Sequence, residues 1–192
     1  MLSEDELERI ARALAAQPDR PQALALLLGE ARRLTRAEAG TVYVREGDHL
    51  RFAATQNDVL AQRLGDREVQ RRLAAEPLLL TAPSIASYVA LTRATVNIPD
   101  VYEIPLERPY SFDRQFDARN SYRTRSMLAM PMRDARGRVI AVLQLINALD
   151  AEGRVVPFDR EHETVVEALL GWCARQGSNL RPSDSKSDAL SD

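Results

Sequence analysis

The residue types that usually perform chemistry are sparse in this sequence, and their spacing does not favour catalysis. The two histidines, His49 and His162, lie far apart, and neither belongs to a cluster with metal-ligand spacing. The single cysteine, Cys173, falls on the apolar face of a predicted helix, where a thiol behaves as a small hydrophobic group. There is no Gly-rich phosphate loop and no spacing that argues for a Ser-His-Asp triad. These patterns favour a binding function.

Gln144 is the most informative polar residue, because it interrupts an apolar strand pattern. It is predicted to share one strand face with Ile140, Val142 and Ile146. A buried amide needs hydrogen-bond partners. Two interpretations remain open: a structural bond to the neighbouring backbone, or an amide on the floor of a pocket that faces a ligand.

Two arginines, Arg123 and Arg125, flank Thr124 at the entrance to a predicted strand. One interpretation is that these arginines are solvated or hold a loop. The other is that they bind an anion, since guanidinium groups match phosphate and carboxylate geometry. Three methionines follow closely and are interpreted as core residues, with a ligand site as the alternative: Met127, Met130 and Met132.

These residues are positioned by a predicted central hairpin over residues 122–147. Two apolar runs alternate with period two and are apolar on both faces, which is typical of strands in the middle of a covered sheet. Residues 134–137 form the predicted turn, with Gly137 at positive φ.

Other segments supply the remaining elements. Further strands are predicted at 40–45, 49–55, 78–80 and 95–98, and helices at 3–16, from Pro21, within 57–76, at 84–92 and from Asp159 to Gly177. Residues 148–157 are predicted to be a loop. Residues 100–121 form a long, aromatic, turn-rich segment, and such a loop is usually functional.

The hairpin sequence YRTRSMLAMPMRDARGRVIAVLQLIN resembles the fourth and fifth strands of a GAF domain, of the type found in cyclic-nucleotide phosphodiesterases and bacterial signalling proteins. Residues 84–105, SIASYVALTRATVNIPDVYEIP, resemble the family's pocket helix, third strand and following loop. The resemblance implies an α+β fold in which a six-stranded antiparallel sheet carries the terminal helices on one face and a pocket lid, residues 100–121, on the other.

The same resemblance implies a set of ligand-binding residues. Thr41 and Gln144 would lie on the pocket floor, Ile85 and Ala86 would offer backbone groups at a helix start, and the remaining contacts would come from the lid and strand entrance: Asp117, Asn120 and Thr124. The family's Asn-Lys-Phe-Asp-Glu signature is matched in part, by Asn147, Phe158 and Glu163, while Ala148 replaces the lysine and His162 the aspartate. These replacements weaken the expectation of a cyclic nucleotide as ligand, although a cyclic nucleotide or another small metabolite is still expected.

Composition and charge restrict the functional class and the cellular location that the sequence predicts. The 192 residues carry a formal net charge of −2 with both signs interspersed, which does not indicate a nucleic-acid surface. No run of the sequence is long and apolar enough to suggest a membrane span, and one cysteine fits a reducing compartment, so a cytoplasmic location is expected.

We expect an N-terminal helix within residues 1–19, a domain over 20–175 and a disordered polar tail over 176–192. The tail resembles a peptide produced when a reading frame runs into a transfer-RNA gene. Too few residues follow 175 for a cyclase, phosphodiesterase or kinase, so the expected sensor either acts on an effector in trans or is truncated.

We also expect a homodimer through the terminal helices, because their apolar stripes exceed what one sheet face readily covers: Leu7, Ile10 and Leu14, with Val166, Leu169, Leu170 and Cys173. Two alternatives to a sensor remain. One is a dimerisation module with a filled, vestigial pocket. The other, less favoured, is an enzyme of the same fold such as free methionine sulfoxide reductase, which needs pocket cysteines.

Overall fold

The computed structural model describes residues 3–73 and 77–176. In these ranges, one antiparallel sheet of seven strands has the order β3-β2-β1-β6-β5-β4, and β7 pairs with the end of β6. The strands are β1 (Ala37–Glu46), β2 (His49–Asn57), β3 (Leu78–Leu79), β4 (Val96–Ile98), β5 (Met127–Arg133), β6 (Val139–Leu149) and β7 (Val155–Val156). The helices are α1 (Glu4–Ala15), α2 (Arg20–Thr35), α3 (Asp58–Leu64), α4 (Asp66–Leu73), α5 (Ile85–Thr92), α6 (Gln115–Asn120) and α7 (Arg160–Gln176).

The predicted central hairpin is confirmed as β5 and β6. The turn forms as expected: Gly137 has φ +75°, and its N–H donates to the Asp134 carbonyl at 2.9 Å. Glycine adopts this left-handed conformation without the steric cost that a Cβ would bring. The hairpin lies in the middle of the sheet, and both its faces are covered, as the apolar runs predicted.

A β-bulge near the turn changes which face some residues occupy. Met132 pairs with Ala141 and Arg133 with Val139, so β6 carries one extra residue, Ile140, between these pairs. Val139 therefore packs with Val142, whereas Ile140 packs against the opposite core. The prediction that Ile140 shares a face with Gln144 is wrong for this reason.

The predicted loop over residues 148–157 is also corrected. β6 continues to Leu149, the chain turns through Asp150 and Gly153, and β7 pairs back onto β6. The turn sequence Asp-Ala-Glu-Gly-Arg-Val repeats the Asp-Ala-Arg-Gly-Arg-Val of the β5–β6 turn. This repeat was the available sequence signal for the extra strand.

Three helices, α1, α2 and α7, cover one face of the sheet. The N-terminus of α1 is capped as predicted, because the Glu6 N–H donates to Ser3 Oγ at 3.2 Å. Asp19 caps α2 in the same way. The apolar stripes of these helices form one core with the sheet, which includes Ile10, Leu14, Leu27, Leu28, Leu128, Leu143, Leu145, Val166, Leu169, Leu170 and Cys173.

Burial of these stripes corrects the argument for a dimer. Ile10, Leu14, Leu169 and Leu170 are all buried within a single chain. One sheet face and three helices suffice to cover them, because α1 and α7 also pack on α2 and on each other. A second copy is therefore not needed to bury them.

The opposite face of the sheet carries α5, the predicted lid, α3 and α4. α5 packs over β5 and β6, and its Ile85 and Val89 join a second core with Met127, Ala129 and Val142. The predicted lid over residues 100–121 contains a short 3-10 turn (Val101–Glu103) and α6. A third, smaller core joins α3 and α4 to the lid through Leu60, Val69, Phe116 and Tyr122. In the part of the chain that the structure describes, no helix is long and apolar enough to cross a membrane.

Candidate functional site

A cavity of about 290 Å³ lies between the sheet, the start of α5 and the lid. The floor comes from β1, β2, β5 and β6. The cavity is lined by five of the residues implied by the resemblance: Thr41, Ile85, Ala86, Thr124 and Gln144. Further lining residues are Tyr43, Phe52, Thr55, Arg72, Phe112, Asp113, Phe116, Tyr122 and Met127. The volume falls near the lower end of the range typical of ligand pockets.

Cross-strand register places the polar floor residues side by side. Thr41 of β1 pairs with Gln144 of β6 on one side and with Thr55 of β2 on the other. The hydroxyl oxygens of Thr41 and Thr55 are 3.3 Å apart, and Thr55 also donates to the Gly40 carbonyl at 3.4 Å. The floor therefore presents a row of hydroxyl and amide groups within aromatic walls.

Gln144 has little internal hydrogen bonding for a buried amide. Its side chain is 9% exposed, and its Nε2 donates to the Met127 Sδ at 3.0 Å. A thioether is a weak acceptor. Among the hydrogen bonds of residues 3–73 and 77–176, none joins the Gln144 amide to backbone, so the structural bond that the sequence left open is not found. The amide faces the cavity instead.

Tyr43 is a floor residue that sequence reasoning missed. It lies on the same face of β1 as Thr41, and its ring packs on Phe52 with centroids 4.7 Å apart. Burial raises the pKa of Tyr43 well above its usual range, so the hydroxyl stays neutral. The sequence signal was available, since residues 41 and 43 share a strand face, but an aromatic residue in a strand is usually interpreted as core.

The start of α5 opens onto the cavity. The Ser84 Oγ accepts the Ser87 N–H at 3.0 Å, which confirms the predicted cap, and the Tyr88 N–H donates to the Ser84 carbonyl at 3.0 Å. Ser84 also forms a parallel bridge with Ser111 of the lid, in which the Ser111 N–H donates to the Pro83 carbonyl at 2.8 Å and the Ile85 N–H faces the Ser111 carbonyl. Among the first four N–H groups of this helix, that of Ala86 has no such partner among the described residues. N–H groups at a helix start favour anionic groups.

Asp117 does not line the cavity, although the resemblance implied a ligand contact. Its side chain is 2% exposed and points to the protein interior. Its carboxylate accepts the Thr124 N–H at 2.8 Å, the Thr124 hydroxyl at 2.9 Å and the Tyr102 hydroxyl at 3.0 Å. These bonds use its acceptor capacity to fix α6 against the entrance to β5.

Asn120 likewise lies outside the cavity lining. Its Nδ2 donates to the Phe116 carbonyl at 2.9 Å, and its Oδ1 accepts from Arg72 Nη1 at 3.0 Å. Arg72, which does line the cavity, also bonds Glu68 one turn earlier in α4. The result is a bridge between α4 and α6 on the outer side of the cavity.

The arginines before β5 hold the lid, as one of the two sequence interpretations proposed. Arg123 donates to both carboxylate oxygens of Asp100, at 3.0 and 2.9 Å, and its guanidinium carbon lies 3.4 Å from the ring centroid of Tyr102. Arg114 lies against the same ring at 4.3 Å, and Arg125 is 3.7 Å from Asp100. Ion pairs and cation–π contacts of these arginines therefore hold the lid in place.

Cys173 lies in the core on the other face of the sheet, away from the cavity. Burial raises the pKa of its thiol to about 12, so the reactive thiolate is scarce at neutral pH. Within residues 3–73 and 77–176, no group of three or more His, Cys, Asp or Glu side chains is arranged to hold a metal ion.

The family model for the GAF domain matches residues 19–176 of this chain. The chain belongs to the GAF domain family. The antiparallel sheet with helices on one face and a lidded cavity on the other is the architecture of this family, as the resemblance predicted.

Curated relatives of this chain include cyclic-nucleotide phosphodiesterases. The chain is 38% identical over 89 residues to a dual 3′,5′-cyclic-AMP and -GMP phosphodiesterase 11 of Drosophila melanogaster, which covers 46% of this chain and 6% of that protein. It is 34% identical over 97 residues to phosphodiesterase 11A of Takifugu rubripes, covering 50% and 10%. A cGMP-specific phosphodiesterase of Drosophila pseudoobscura pseudoobscura is 25% identical over 142 residues, covering 73% and 12%. The matches thus span a small part of each relative.

Solved structures share the fold at lower identity. A methyl-accepting chemotaxis protein, residues 122 to 287, superposes with a TM-score of 0.64 at 16% identity and covers 87% of this chain and 93% of that one. The free methionine-R-sulfoxide reductase of Neisseria meningitidis gives 0.62 at 18% identity, covering 91% and 87%. The fold thus hosts both signalling domains and enzymes.

The partly matched signature residues have structural roles in this GAF domain. Asn147 adopts φ +56° and its Oδ1 accepts the Arg125 N–H at 2.7 Å, while Glu163 accepts from Asn97 Nδ2 at 2.6 Å. Ala148 is fully buried, and His162 exchanges hydrogen bonds with Asp159 at the start of α7. His162, at the position of the signature's aspartate, therefore forms a local helix cap with Asp159.

Proposed function

We propose that this GAF domain is a regulatory sensor module that binds a small molecule in the cavity beneath the lid. The observation that carries the proposal is the cavity itself: it has about 290 Å³ of open volume and a polar floor under aromatic walls. A pocket with a few converging polar groups is the usual form of a ligand site.

The ligand contacts that we propose follow the lining. Thr41 and Gln144 would contact the ligand from the floor, Thr124 from the strand entrance, and the N–H groups of Ile85 and Ala86 from the start of α5. We propose that Asp117 and Asn120 act indirectly, by holding the lid.

A cyclic nucleotide is the ligand class that we propose first. Two considerations support it: several relatives are named for cyclic AMP and cyclic GMP, and the N-terminal end of a helix such as α5 suits a phosphate. Another small metabolite of similar size remains the alternative, because the chain departs from the family's signature at Ala148 and His162.

Native mass spectrometry of the purified protein tests this proposal. We expect a protein mass with a retained small molecule, which unfolding solvent releases and which fragmentation then identifies. Gln144→Leu should retain less of it. Wild-type protein that stays free of adducts, both as purified and after incubation with cyclic AMP and cyclic GMP, would contradict the cyclic-nucleotide proposal.

We further propose that the bound state is passed to the terminal helices and then to an effector, such as a cyclase, phosphodiesterase or kinase, in the cytoplasm. A physical route is present: Asn97 of β4 bonds the Glu163 carboxylate and the Phe158 carbonyl at the start of α7, and the lid begins directly after β4. A shift of the lid would therefore reach α7 through two hydrogen bonds. The effector would act in trans or belong to a longer chain.

We also propose a homodimer, but its interface would not be formed by the apolar stripes of α1 and α7 that are buried within one chain. Val165, Ala168 and Trp172 of α7 are half-exposed and recur at helical spacing. A stripe of this kind on a terminal helix is suited to packing against the same helix of a second copy.

The two alternatives are less well supported. A vestigial pocket should be filled and its amide bonded internally, whereas the cavity is open and Gln144 bonds a weak sulfur acceptor. An enzyme of the methionine sulfoxide reductase type needs pocket cysteines, whereas Cys173 lies in the core on the other face of the sheet. We therefore propose a non-enzymatic role.

A further inference from the structure

We infer that the ligand binds with a neutral, amide-like polar edge inserted deepest in the cavity, where it contacts Tyr43 and Gln144, and that Tyr43 is a specificity-determining residue. This inference rests on the proposed sensor function and deepens it. It assigns the ligand an orientation and gives a role to a residue that the family resemblance did not indicate.

The first observation is the unused hydroxyl of Tyr43. The residue is 7% exposed and lines the cavity. No hydrogen bond among the described residues uses its hydroxyl, although the residue lines the cavity. A tyrosine this deeply buried usually satisfies its hydroxyl.

The second observation is that Gln144 offers complementary groups close by. Tyr43 pairs with Val142 and Thr41 with Gln144, so Tyr43 and Gln144 form a diagonal cross-strand pair on one face. Such pairs have Cα atoms about 7–8 Å apart, which long side chains can span together. A phenol hydroxyl and an amide together supply donors and an acceptor, which match a carbonyl beside an N–H.

The third observation is that the described residues place no charged side chain at this depth. Among the described residues that line the cavity, the charged side chains are Arg72 and Asp113, and both residues are exposed. A charged group placed against Tyr43 would lose its hydration without a counter-charge. The inner end of the ligand is therefore neutral, and a charged end would lie at the start of α5.

A second buried tyrosine provides a matched comparison. The Tyr122 hydroxyl donates to Glu38 Oε1 at 2.5 Å and accepts from Asn147 Nδ2 at 3.1 Å. Tyr122 also lines the cavity, but its hydroxyl already has hydrogen-bond partners within the protein. Removing the two hydroxyls one at a time separates a structural role from a ligand-binding role.

The experiment compares wild type with Tyr43→Phe, Tyr122→Phe and Tyr88→Phe. Without ligand, Tyr43→Phe should leave the melting temperature within about 2 °C of wild type, because no protein hydrogen bond is lost. Tyr122→Phe should lower it by several degrees, because Glu38 loses one of its donors and Asn147 loses an acceptor. A loss in Tyr43→Phe equal to that in Tyr122→Phe would overturn the inference.

Calorimetric titration with cyclic GMP and cyclic AMP, whose bases carry a neutral donor–acceptor edge, tests the contact itself. For a nucleotide that binds wild type, Tyr43→Phe should raise Kd about fivefold to tenfold, whereas Tyr88→Phe, outside the lining, should not change it. Equal Kd values for wild type and Tyr43→Phe would overturn the inference and leave the sensor function intact. Failure of both nucleotides to bind wild type would contradict the cyclic-nucleotide proposal and would overturn the inferred contact with it.

Discussion

Buried polar side chains in this domain are of two kinds. Asp117 accepts three hydrogen bonds and Tyr122 exchanges two, so the protein satisfies both within itself. Gln144 bonds a weak sulfur acceptor, the Tyr43 hydroxyl has no hydrogen-bond partner among the described residues, and both residues line the cavity. A buried polar group without a good partner is costly, and a ligand that supplies the partner would recover that cost. We therefore propose that residues of the second kind mark the ligand site.

Asp117→Ala should destabilise the domain by about 2 kcal/mol, because the buried Thr124 N–H and hydroxyl lose their acceptor. Denaturant unfolding of the variant measures this change. The control is Asp113→Ala in the same lid, where an exposed carboxylate accepts one N–H, from Gln115, and the expected cost is below about 1 kcal/mol. Equal losses in the two variants would mean that Asp117 does not hold the lid.

The sequence predicted these residues unevenly. Thr41, Thr124 and Gln144 were placed on the cavity because the strand pattern and the family resemblance fix their faces. Asp117 and Asn120 lie in the lid as predicted but outside the cavity lining, because the resemblance gives the position of the lid but not the rotation of its short helix. That rotation is fixed by the contacts of Tyr102 with Asp117 and Arg123, which join residues distant in sequence.

At the scale of elements, β1 lies very close to both α2 and β6 at Gly40. A Cβ on Gly40 would lie 2.8 Å from Leu28 Cδ1 and 2.9 Å from the Gln144 carbonyl oxygen. Gly40→Ala should therefore destabilise the domain by about 2 kcal/mol or more through overpacking, as thermal or denaturant unfolding would show.

Gly29 in α2 is the matched control for that substitution. An added Cβ there would meet only Gln56, at 3.7 Å, and alanine favours a helix over glycine by about 0.5–1 kcal/mol. Gly29→Ala should raise the melting temperature while Gly40→Ala lowers it. A neutral Gly40→Ala would show that β1 and α2 can separate without cost.

The turn before β7 should make stability depend on acid pH. A hydrogen bond from the Arg154 N–H lowers the pKa of the Asp150 carboxyl, against the opposing effect of desolvation. Because the folded-state pKa is depressed, the stabilisation is complete above the ordinary pKa of about 4 and is lost as pH falls through the lower folded value. Asp150→Asn should therefore melt below wild type at pH 7, and the difference should shrink toward pH 2. A difference that is constant with pH would show that the charge is not involved.

Long, regular patterns predicted the elements well, whereas local irregularities escaped prediction. The β5–β6 hairpin and the caps at Ser3 and Ser84 were identified from periodicity and side-chain chemistry. The bulge at Ile140 was not, because one extra residue in a strand has no distinctive composition. β7 has two residues and is too short for periodicity to detect.

At the scale of the whole molecule, the terminal helices have an inner and an outer apolar surface. The inner surface, with Leu170 at 6% exposure, belongs to the core of one chain. The predicted dimer argument failed because apolar periodicity does not tell whether the covering partner is the same chain or another. The outer stripe of Val165, Ala168 and Trp172 is the remaining candidate for self-association.

Val165→Glu should give a folded monomer if that stripe forms the dimer, since a charge in an apolar interface opposes association. Sedimentation velocity and the melting temperature together measure the effect. Leu170→Glu should unfold the protein, and the exposed Glu167→Ala should change neither property. A wild-type protein that remains monomeric at high micromolar concentration would contradict the dimer.

The central claim is that the cavity binds a regulatory ligand, and a thermal-shift titration of wild type and Gln144→Leu tests it most directly. Cyclic AMP, cyclic GMP and a library of small metabolites would be titrated. At about 100 times its Kd, a true ligand should add about 2.7 kcal/mol of stability to wild type. Gln144→Leu should lose most of that gain and keep the unliganded melting temperature, since Leu matches Gln in size among apolar neighbours. Unfolding of unliganded Gln144→Leu, or a full ligand shift in that variant, would contradict the account.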